Sequence, residues 1–290
     1  MVAPRARLYL IDGSSYIFRA FFALPPMSNS NELPTHAIYG FTTMTLKFLK
    51  EYQPELLAVV LDKGRVTFRN EIYHEYKSNR PEAPPDLIPQ FPYIRKILEA
   101  MNIPALELAG FEADDLIATL AKKFSSQETE VVIVSGDKDL MQLVGDTTRI
   151  LDTMKSRWIG VEEVKEKFGV EPHQVVEVMG LMGDPTDNIP GIKGIGEKTA
   201  IPLIQKFQSL ENLFDHLHDL DKVGIKISAR VRKALMEGKE DALMSRKLAT
   251  VRTDVPIHVD LEELRFQGIS NENLRELYTE LEFSQLLKGL

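Results

Sequence analysis

Three short apolar segments that run into aspartate set the strongest constraint on how this chain can fold. They are LYLIDGS (8–14), LLAVVLDKG (56–64) and VVIVSGDKD (131–139). Runs rich in Val, Leu and Ile that close with Gly or Ser are typical of buried strands in a parallel sheet. The chain therefore has at least three candidate strands, and each delivers a carboxylate at its end.

Helical periodicity is found between these segments, near 36–51, 87–101 and 112–124. This alternation predicts an α/β fold with a mostly parallel central sheet flanked by helices. In such sheets ligands bind beyond the carboxyl ends of the strands, although Asp is also a common turn residue there. We expect the aspartates of all three segments to meet at one edge.

The segment GFEADDLIATL (110–120) crowds Glu112, Asp114 and Asp115 into the first turn of a predicted helix. The helix dipole stabilises acids there by about 0.3–1 kcal/mol each, which accounts for one or two of them. Three neighbouring like charges repel one another and favour a bound cation. On this segment alone, a structural and a metal-binding interpretation both stand.

Residues 69–92 interrupt the regular pattern with five prolines between 81 and 92. Proline density disfavours regular structure, so a surface connection is one interpretation. Because Arg69, Lys77 and Arg80 precede the prolines, the other is a basic, mobile segment near the carboxylate edge.

From about residue 171 the strand signals fade and four segments have helical character, so we divide the chain into an α/β region (1–170) and a mostly helical region (171–290). A short strand is expected in TDVPIHVDLEEL (253–264). No long internal repeat is found.

The segment GDPTDNIPGIKGIGEKTA (183–200) carries Asp184 and Asp187, then alternates Gly with apolar residues before a helix begins. No strand leads into it, and Glu197 interrupts a P-loop pattern, so neither nucleotide-binding motif fits. A helix-hairpin-helix over about 184–207 fits better, because it presents backbone N–H groups to phosphate oxygens. A tight turn between packed helices is the alternative.

The net charge of −8 argues at first against a nucleic-acid partner. Nine acids, however, belong to the motifs above: Asp12, Asp62, Glu112, Asp114, Asp115, Asp137, Asp139, Asp184 and Asp187. Setting these nine aside leaves 34 acids against 35 bases. If the nine form one metal site, bound cations offset their charge and the surrounding surface is free to bind DNA.

Composition excludes other classes. Cysteine is absent, so there is no disulfide framework and no thiolate chemistry. No apolar run approaches the ~20 residues of a membrane span, and MVAPRARLYLIDG at the start lacks the long apolar region of a signal peptide. We expect a cytoplasmic protein without a membrane partner.

Eight motifs, in order and approximate spacing over essentially the whole chain, resemble the 5′ nuclease (5′–3′ exonuclease) domain of bacterial DNA polymerase I, in the flap endonuclease family. They are LIDGSSYIFRAFFA, HAIYGF, TFRNEIY, YKSNRP, GFEADDLIATLA, GDKDLMQLV, LMGDPTDNIPGIKGIGEKTA and ATVRTDVPI. One departure is LDKGRVTFR, where the family more often has Phe before the Asp and a small residue after it. Lys63 adds a positive charge there, and Asp62 is kept.

The resemblance implies a phosphodiesterase with two or more Mg²⁺ or Mn²⁺ ions, which prefer oxygen ligands. The nine acids match the family's pattern, with Asp12, Asp62 and Asp114 also taken as catalytic. One ion is expected near Asp12, Asp62, Glu112 and Asp114. The second is expected near Asp114, Asp137, Asp139 and Asp187, with Asp115 and Asp184 acting through water.

The resemblance also implies nucleic-acid contacts. Lys77 and Arg80 match basic residues of a helical arch that neutralise the scissile phosphate. Arg69 is expected to support a phosphate, and Tyr76 either stacks on an exposed base or packs in the core. The hairpin residues expected at the duplex are Gly191, Lys193, Gly194, Gly196, Lys198 and Thr199. The family's hairpin often binds K⁺, which these residues neither favour nor oppose.

The implied function is a structure-specific 5′ nuclease acting on 5′ flaps, 5′ ends of duplex DNA and RNA–DNA primer junctions in replication and repair. Both a stand-alone nuclease and a domain linked to a polymerase fit the sequence. A catalytically silent DNA-junction-binding module is the alternative, disfavoured because no acid of the set is missing. A metal-dependent phosphatase or ribonuclease is disfavoured by the C-terminal helical region and the hairpin.

Overall fold

A six-stranded sheet in the order β3-β2-β1-β4-β5-β6 lies at the centre of the computed structural model, which describes residues 6–220 and 224–290. Neighbouring strands are parallel except β5 and β6, which are antiparallel. The predicted α/β class is confirmed. The strands are β1 (Ala6–Asp12), β2 (Leu56–Val60), β3 (Ala105–Leu106), β4 (Thr129–Val134), β5 (Thr148–Asp152) and β6 (Arg157–Ile159).

Helices cover both faces of this sheet. The helices are α1 (Gly13–Ala23), α2 (His36–Tyr52), α3 (Phe68–Ile72), α4 (Phe91–Ala100), α5 (Ala113–Phe124), α6 (Val161–Phe168), α7 (Val175–Met182), α8 (Glu197–Phe207), α9 (Leu210–Asp215), α10 (Ala229–Glu237), α11 (Lys239–Ala249), α12 (Asn271–Glu280) and α13 (Ser284–Leu287).

Alternating side chains of β1 divide the core into two layers, because successive residues of a strand point to opposite faces. Leu8 and Leu10 pack with α5 and with the helices that follow residue 171. Tyr9 and Ile11 pack with α1, α2, α4 and α12. The sheet is therefore buried on both sides, which explains why its central strands read as continuous apolar runs.

The helices predicted after residue 171 are confirmed as α7 to α11, but the short strand expected in 253–264 is wrong. Side chains of α5 hold this backbone instead. Thr119 Oγ1 accepts a hydrogen bond from Val255 N at 3.1 Å, and Lys123 Nζ donates to Val259 O at 2.6 Å. The segment runs along a helix rather than beside a strand, and it ends in a 3₁₀ turn at Leu261–Leu264.

In the described part of the chain, no helix is both long and apolar enough to cross a membrane. Residues 1–5, the start of the segment in which no signal peptide is expected, lie outside the described residues.

Candidate metal and nucleic-acid site

The predicted carboxylates follow three neighbouring parallel strands at the same edge of the sheet. Asp12 ends β1, Asp62 lies two residues after β2, and Asp137 lies three residues after β4. The start of α5 is fixed against this edge, since Ala113 N donates a hydrogen bond to Asp62 Oδ1 at 2.8 Å. That contact brings Glu112, the residue before α5, to the ends of the strands.

Asp12 is 3% exposed, and hydroxyl and amide groups hold its carboxylate in place. Ser15 donates from N at 3.0 Å and from Oγ at 2.5 Å, and Ser135 Oγ donates at 2.8 Å. Burial nevertheless raises the pKa of Asp12, with a smaller contribution from Asp137. Because a carboxylate has about four acceptor positions, roughly one stays open to a further ligand.

Asp114, Asp137 and Asp139 form the centre of the negative charge. Burial, then the charges of Asp137 and Asp12, raise the pKa of Asp114 well above its usual value. Burial, then Asp137, raise the pKa of Asp139 to about 7. Asp139 Oδ1 is buried and has no hydrogen-bond partner among the described residues. These closely spaced carboxylates offer only oxygen atoms as ligands, which is the ligand type that Mg²⁺ and Mn²⁺ prefer.

Basic side chains contact the remaining carboxylates. Lys77 Nζ lies 2.7 Å from Glu112 Oε2 and 3.5 Å from Asp187 Oδ2, and Arg80 pairs with Asp187. Desolvation acts to lower the pKa of Lys77, but the charge of Glu112 outweighs it and the pKa is raised. Within residues 6–220 and 224–290, no three acidic or histidine side chains are arranged as one metal site. Protein cations instead compensate part of the charge of these carboxylates, which we call the acidic cluster: Asp12, Asp62, Glu112, Asp114, Asp137, Asp139, Asp184 and Asp187.

A lysine side chain and a backbone amide also hold Asp184. Lys138 Nζ lies 2.9 Å from Asp184 Oδ2, and Thr186 N donates to Asp184 Oδ1 at 2.9 Å. Burial opposes ionisation, but these two groups outweigh it and lower the pKa of Asp184. The carboxylate is therefore ionised: Oδ1 accepts a hydrogen bond from Thr186 N, and Oδ2 forms an ion pair with Lys138 but has no hydrogen bond among the described residues.

The basic segment that contains Lys77 docks on residues 185–188. Lys77 N donates to Asp187 O at 2.9 Å, and Asn79 Nδ2 donates to Pro185 O at 2.7 Å. Lys77 has φ 54°, a left-handed conformation that costs energy in a residue with a Cβ and persists only where neighbours hold it. The resemblance implies a helical arch, but in the structure only its first residues form a helix, α3. Turns follow α3, as expected from the prolines of this segment.

The structure corrects the expectations for Asp115 and Arg69. Asp115 is fully buried, and Arg69 is 2% exposed. Arg69 donates to both oxygens of Asp115, at 2.7 and 2.8 Å. The same carboxylate accepts from Glu112 N at 3.1 Å and Arg252 N at 2.8 Å. With these positions filled, Asp115 has no access to a metal, and Arg69 has no access to a phosphate.

The base-stacking alternative for Tyr76 is also corrected, because this side chain is 5% exposed and packs in the core. Its hydroxyl lies 3.3 Å from both Glu112 Oε2 and Asp187 Oδ2. Burial, then Glu112, raise the pKa of Tyr76, so the hydroxyl stays protonated and donates. Tyr76 orients two of the predicted metal ligands.

We predict that Arg69→Ala destabilises the protein by about 3–5 kcal/mol, because it leaves Asp115 as a buried charge without a partner. Arg252→Ala is the control: it removes a partly exposed guanidinium that pairs with Asp254, and should cost about 1 kcal/mol or less. Urea unfolding of both variants measures the difference. Equal stability of the two would contradict the structural role of the Arg69–Asp115 pair.

The predicted hairpin joins α7 to α8 and exposes the expected basic residues. Ile192 and Ile195 are each 4% exposed and anchor it to the core, whereas Lys193, Gly194, Gly196 and Lys198 are exposed. No side chain caps the N-terminus of α8. The uncapped N-terminus of α8 and two ammonium groups are therefore exposed in the hairpin, and Thr199 is half-buried beside them.

Gly191 shapes the hairpin and does not face solvent. It has φ 58°, and an added Cβ would lie 2.2 Å from Gly183 N. Its own N–H donates to Ser245 Oγ at 2.9 Å. The expectation that Gly191 contacts the duplex is corrected: only glycine allows this close approach of two backbones.

The sequence analysis missed Ser15, Ser135 and Lys138. Ser135 Oγ donates to Asp12 and also accepts from Asp137 N at 3.0 Å, so it links the ends of β1 and β4. The available signal was a serine beside two of the three strand-terminal aspartates, in DGSS and VSGD. Hydroxyls at such positions orient a carboxylate toward a ligand.

Two family models match the chain. That of the 5′–3′ exonuclease N-terminal resolvase-like domain matches residues 7–169, and that of the 5′–3′ exonuclease C-terminal SAM fold matches residues 170–272. The chain belongs to the 5′–3′ exonuclease family. The family recognised in the sequence is thereby confirmed. The division into two regions stays a prediction.

Curated relatives agree with this membership. DNA polymerase I of Bacillus subtilis is 43% identical over 293 residues, which cover 100% of this chain and 33% of that protein. The 5′–3′ exonuclease of Aquifex aeolicus is 42% identical over 281 residues, covering 97% of this chain and 94% of that protein. This family member spans about a third of the length of the DNA polymerase I relatives.

Solved structures share the fold. A T5 5′-exonuclease with bound zinc ions has a TM-score of 0.68 at 22% identity, covering 96% of this chain and 98% of that one. The catalytic core of Rad2 in complex with DNA substrate has a TM-score of 0.64 at 19% identity, covering 96% and 88%. At these identities the likeness establishes the architecture alone.

Proposed function

We propose that this chain is a structure-specific 5′ nuclease that hydrolyses phosphodiester bonds of 5′ flaps and 5′ ends of duplex DNA, including RNA primers, in replication and repair. The observation that carries the proposal is the contact of Lys77 and Arg80 with the acidic cluster at the carboxyl edge of the sheet. Membership in the 5′–3′ exonuclease family supports the same class of reaction.

We propose that Mg²⁺ or Mn²⁺ ions bind at this edge. One ion would be held by Asp12, Asp62, Glu112 and Asp114. The second would be held by Asp114, Asp137, Asp139 and Asp187, with Asp184 acting through water. The raised pKa of Asp114, caused by burial and then by Asp137 and Asp12, supports its place between the two groups. When bound, the ions supply electrophilic stabilisation of the scissile phosphodiester and activate the attacking water.

Lys77 and Arg80 neutralise negative charge on the scissile phosphate in this proposal. A phosphate oxygen and a carboxylate oxygen accept the same charge-assisted hydrogen bonds. The ammonium of Lys77, paired with Glu112 in the described state, therefore has an equivalent partner when a substrate phosphate enters. Tyr76 and Ser135 keep Glu112, Asp12 and Asp137 oriented during this exchange.

The exposed face of the hairpin holds the duplex backbone without reading its sequence, through Lys193, Lys198 and the free amides of α8. Relatives named DNA polymerase I support a covalent link to a polymerase in the full-length protein, whereas the Aquifex relative supports a stand-alone nuclease.

A labelled 5′-flap duplex, incubated with Mg²⁺ or with EDTA, tests the proposal. We expect release of the flap near the junction in Mg²⁺ and none in EDTA. A 3′-flap duplex of the same sequence is the control and should stay intact. A second substrate with RNA at the 5′ end tests primer removal. Tight binding without cleavage in either Mg²⁺ or Mn²⁺ would favour the silent junction-binding module instead.

A further inference from the structure

Residues 77–80 form a turn that brings Lys77 and Arg80 to the acidic cluster, and we call it the basic turn. Arg80 N donates to Lys77 O at 3.1 Å and closes the turn. At the first end, Lys77 N donates to Asp187 O at 2.9 Å. Because Lys77 has φ 54°, the basic turn persists only where contacts hold it, and its second end needs one as well.

Arg65 supplies the contact at the second end. Its Nη2 donates to Arg80 O at 2.9 Å and lies 3.5 Å from Pro81 O. Within residues 6–220 and 224–290, neither carbonyl accepts a hydrogen bond from a backbone amide. Hydrogen bonds from a charged donor are stronger than those between neutral groups. The guanidinium of Arg65 therefore holds the backbone at this end.

The proline at position 81 explains why a side chain is needed here. Proline fixes its own φ and disfavours a helical conformation of the residue before it. The chain therefore cannot continue the basic turn as a helix, and the carbonyls of Arg80 and Pro81 have no helical donors. A carbonyl in such a position needs a partner from outside its own segment, and Arg65 is that partner.

The loop that carries Arg65 is fixed to the carboxylate edge of the sheet at both of its ends. Asp62 N donates to Ser14 Oγ at 3.0 Å. Thr67 is 5% exposed and caps α3. The exposed residues 63–66 lie between these two anchors. Arg65 therefore reaches the basic turn from a short loop, three residues after a predicted metal ligand.

We propose that Arg65 is a positioning residue for the cleavage reaction. Through the carbonyls of Arg80 and Pro81 it holds the basic turn against the acidic cluster, so that the Arg80 guanidinium is in place when the scissile phosphate enters. The Arg80 side chain is 45% exposed, so its own packing restrains it little. Arg65 acts through Arg80 and does not itself contact the phosphate. The inference rests on the proposed nuclease function.

Arg65→Met tests the proposal, with Lys63→Met as the matched control from the same loop. Both changes remove one positive charge and leave an unbranched apolar side chain, but Lys63 pairs with Glu107 and not with the basic turn. We expect Arg65→Met to lower single-turnover cleavage of a 5′-flap duplex about tenfold at saturating DNA and Mg²⁺, because a small misplacement of a catalytic group slows the reaction strongly.

Binding and rescue separate positioning from a contact with DNA. By fluorescence anisotropy in EDTA, the Kd of Arg65→Met for the flap should stay within about twofold of wild type, since the lost contact is internal. Arg65→Lys keeps a charged donor, so its cleavage rate should stay within about threefold of wild type. A defect in Kd alone, or a cleavage rate equal to that of Lys63→Met, would overturn the proposal.

A double-mutant cycle shows whether Arg65 acts through Arg80. Residues that act as one unit have non-additive effects. In an Arg80→Ala background, Arg65→Met should lower the cleavage rate by only about twofold or less. Full additivity of the two changes would give Arg65 a separate contact with the substrate and would contradict the positioning role.

Hydrogen exchange in the free protein tests the contact without a substrate. The amides of Lys77 and Arg80 are hydrogen-bonded, so their exchange reports local opening of the basic turn. Arg65→Met should raise exchange over residues 77–80 by at least about threefold, and Lys63→Met should leave it unchanged. If the wild type does not cleave a flap but exchange rises in Arg65→Met, the hold on the basic turn stands while the nuclease function fails. If the wild type cleaves and neither rate nor exchange differs between the variants, only the role of Arg65 fails.

Discussion

Asp114→Asn should lower cleavage of a 5′ flap by roughly 10²–10³-fold or more, the scale on which loss of one electrostatic group acts in an active site. Asp114 carries this expectation because Asp137, Asp12 and Glu112 all act on its carboxylate, so it lies where the two proposed ion sites meet. Asparagine keeps the shape and removes the charge. Affinity for the flap in EDTA should stay within about twofold, since the proposed contact with the duplex is made by the hairpin through phosphates.

The fold should survive this change. Burial and the neighbouring carboxylates raise the pKa of Asp114, so its ionised form is destabilising in the folded state, and this penalty grows as pH rises from the usual aspartate pKa to the raised one. Removing the charge should leave the metal-free Tm at pH 8 unchanged or higher. Asp254→Asn, the same change on an exposed carboxylate, should leave both cleavage and Tm near wild type. Cleavage by Asp114→Asn at near the wild-type rate would contradict the metal assignment.

The central strands could be predicted because burial on both faces leaves a continuous apolar signal in β1, β2 and β4. The remaining strands could not. β3 has two residues and β6 has three, too few to show a period, and β5 (TRILD) begins with polar residues. β5 nevertheless ends in an aspartate, Asp152, as the predicted strands run into aspartate.

Within the site, the sequence could predict the acids at the ends of the strands, but it could not predict the directions in which neighbouring side chains point. Successive residues of a helix are rotated by about 100°. Asp115 therefore points away from Asp114 and reaches Arg69, a partner 46 positions earlier that only the tertiary fold brings near. The adjacency of Glu112 and Asp115 is explained by capping: Asp115 Oδ2 accepts from Glu112 N at 3.1 Å. Of the three crowded carboxylates, two face the cluster and one supports the fold.

Lys77→Met should lower kcat for flap cleavage by about 10²–10³-fold while changing Kd for the DNA by less than about threefold. Methionine keeps an unbranched side chain out to Cε and lacks only the ammonium, and its Cβ has the same cost at φ 54° as that of lysine. The expected effect is on turnover, because in our proposal the ammonium neutralises charge that grows on the phosphate in the transition state. Single-turnover rates and anisotropy measure the two quantities independently.

Lys63→Met is the matched control, since it makes the same change in a neighbouring loop. Lys63 Nζ pairs with Glu107 at 3.3 Å, outside the acidic cluster, so the kcat of the Lys63→Met variant should stay within about twofold of wild type.

A titration with Mg²⁺ separates two explanations of a defect in the Lys77→Met variant. In Lys77→Met, Glu112 no longer pairs with an ammonium that competes with a metal ion, so the apparent affinity for Mg²⁺ should stay the same or rise. A rate that recovers fully at high Mg²⁺, or a defect in Kd alone, would limit Lys77 to positioning Glu112 or to binding DNA. A low rate at saturating Mg²⁺ and saturating DNA assigns its charge to the chemical step.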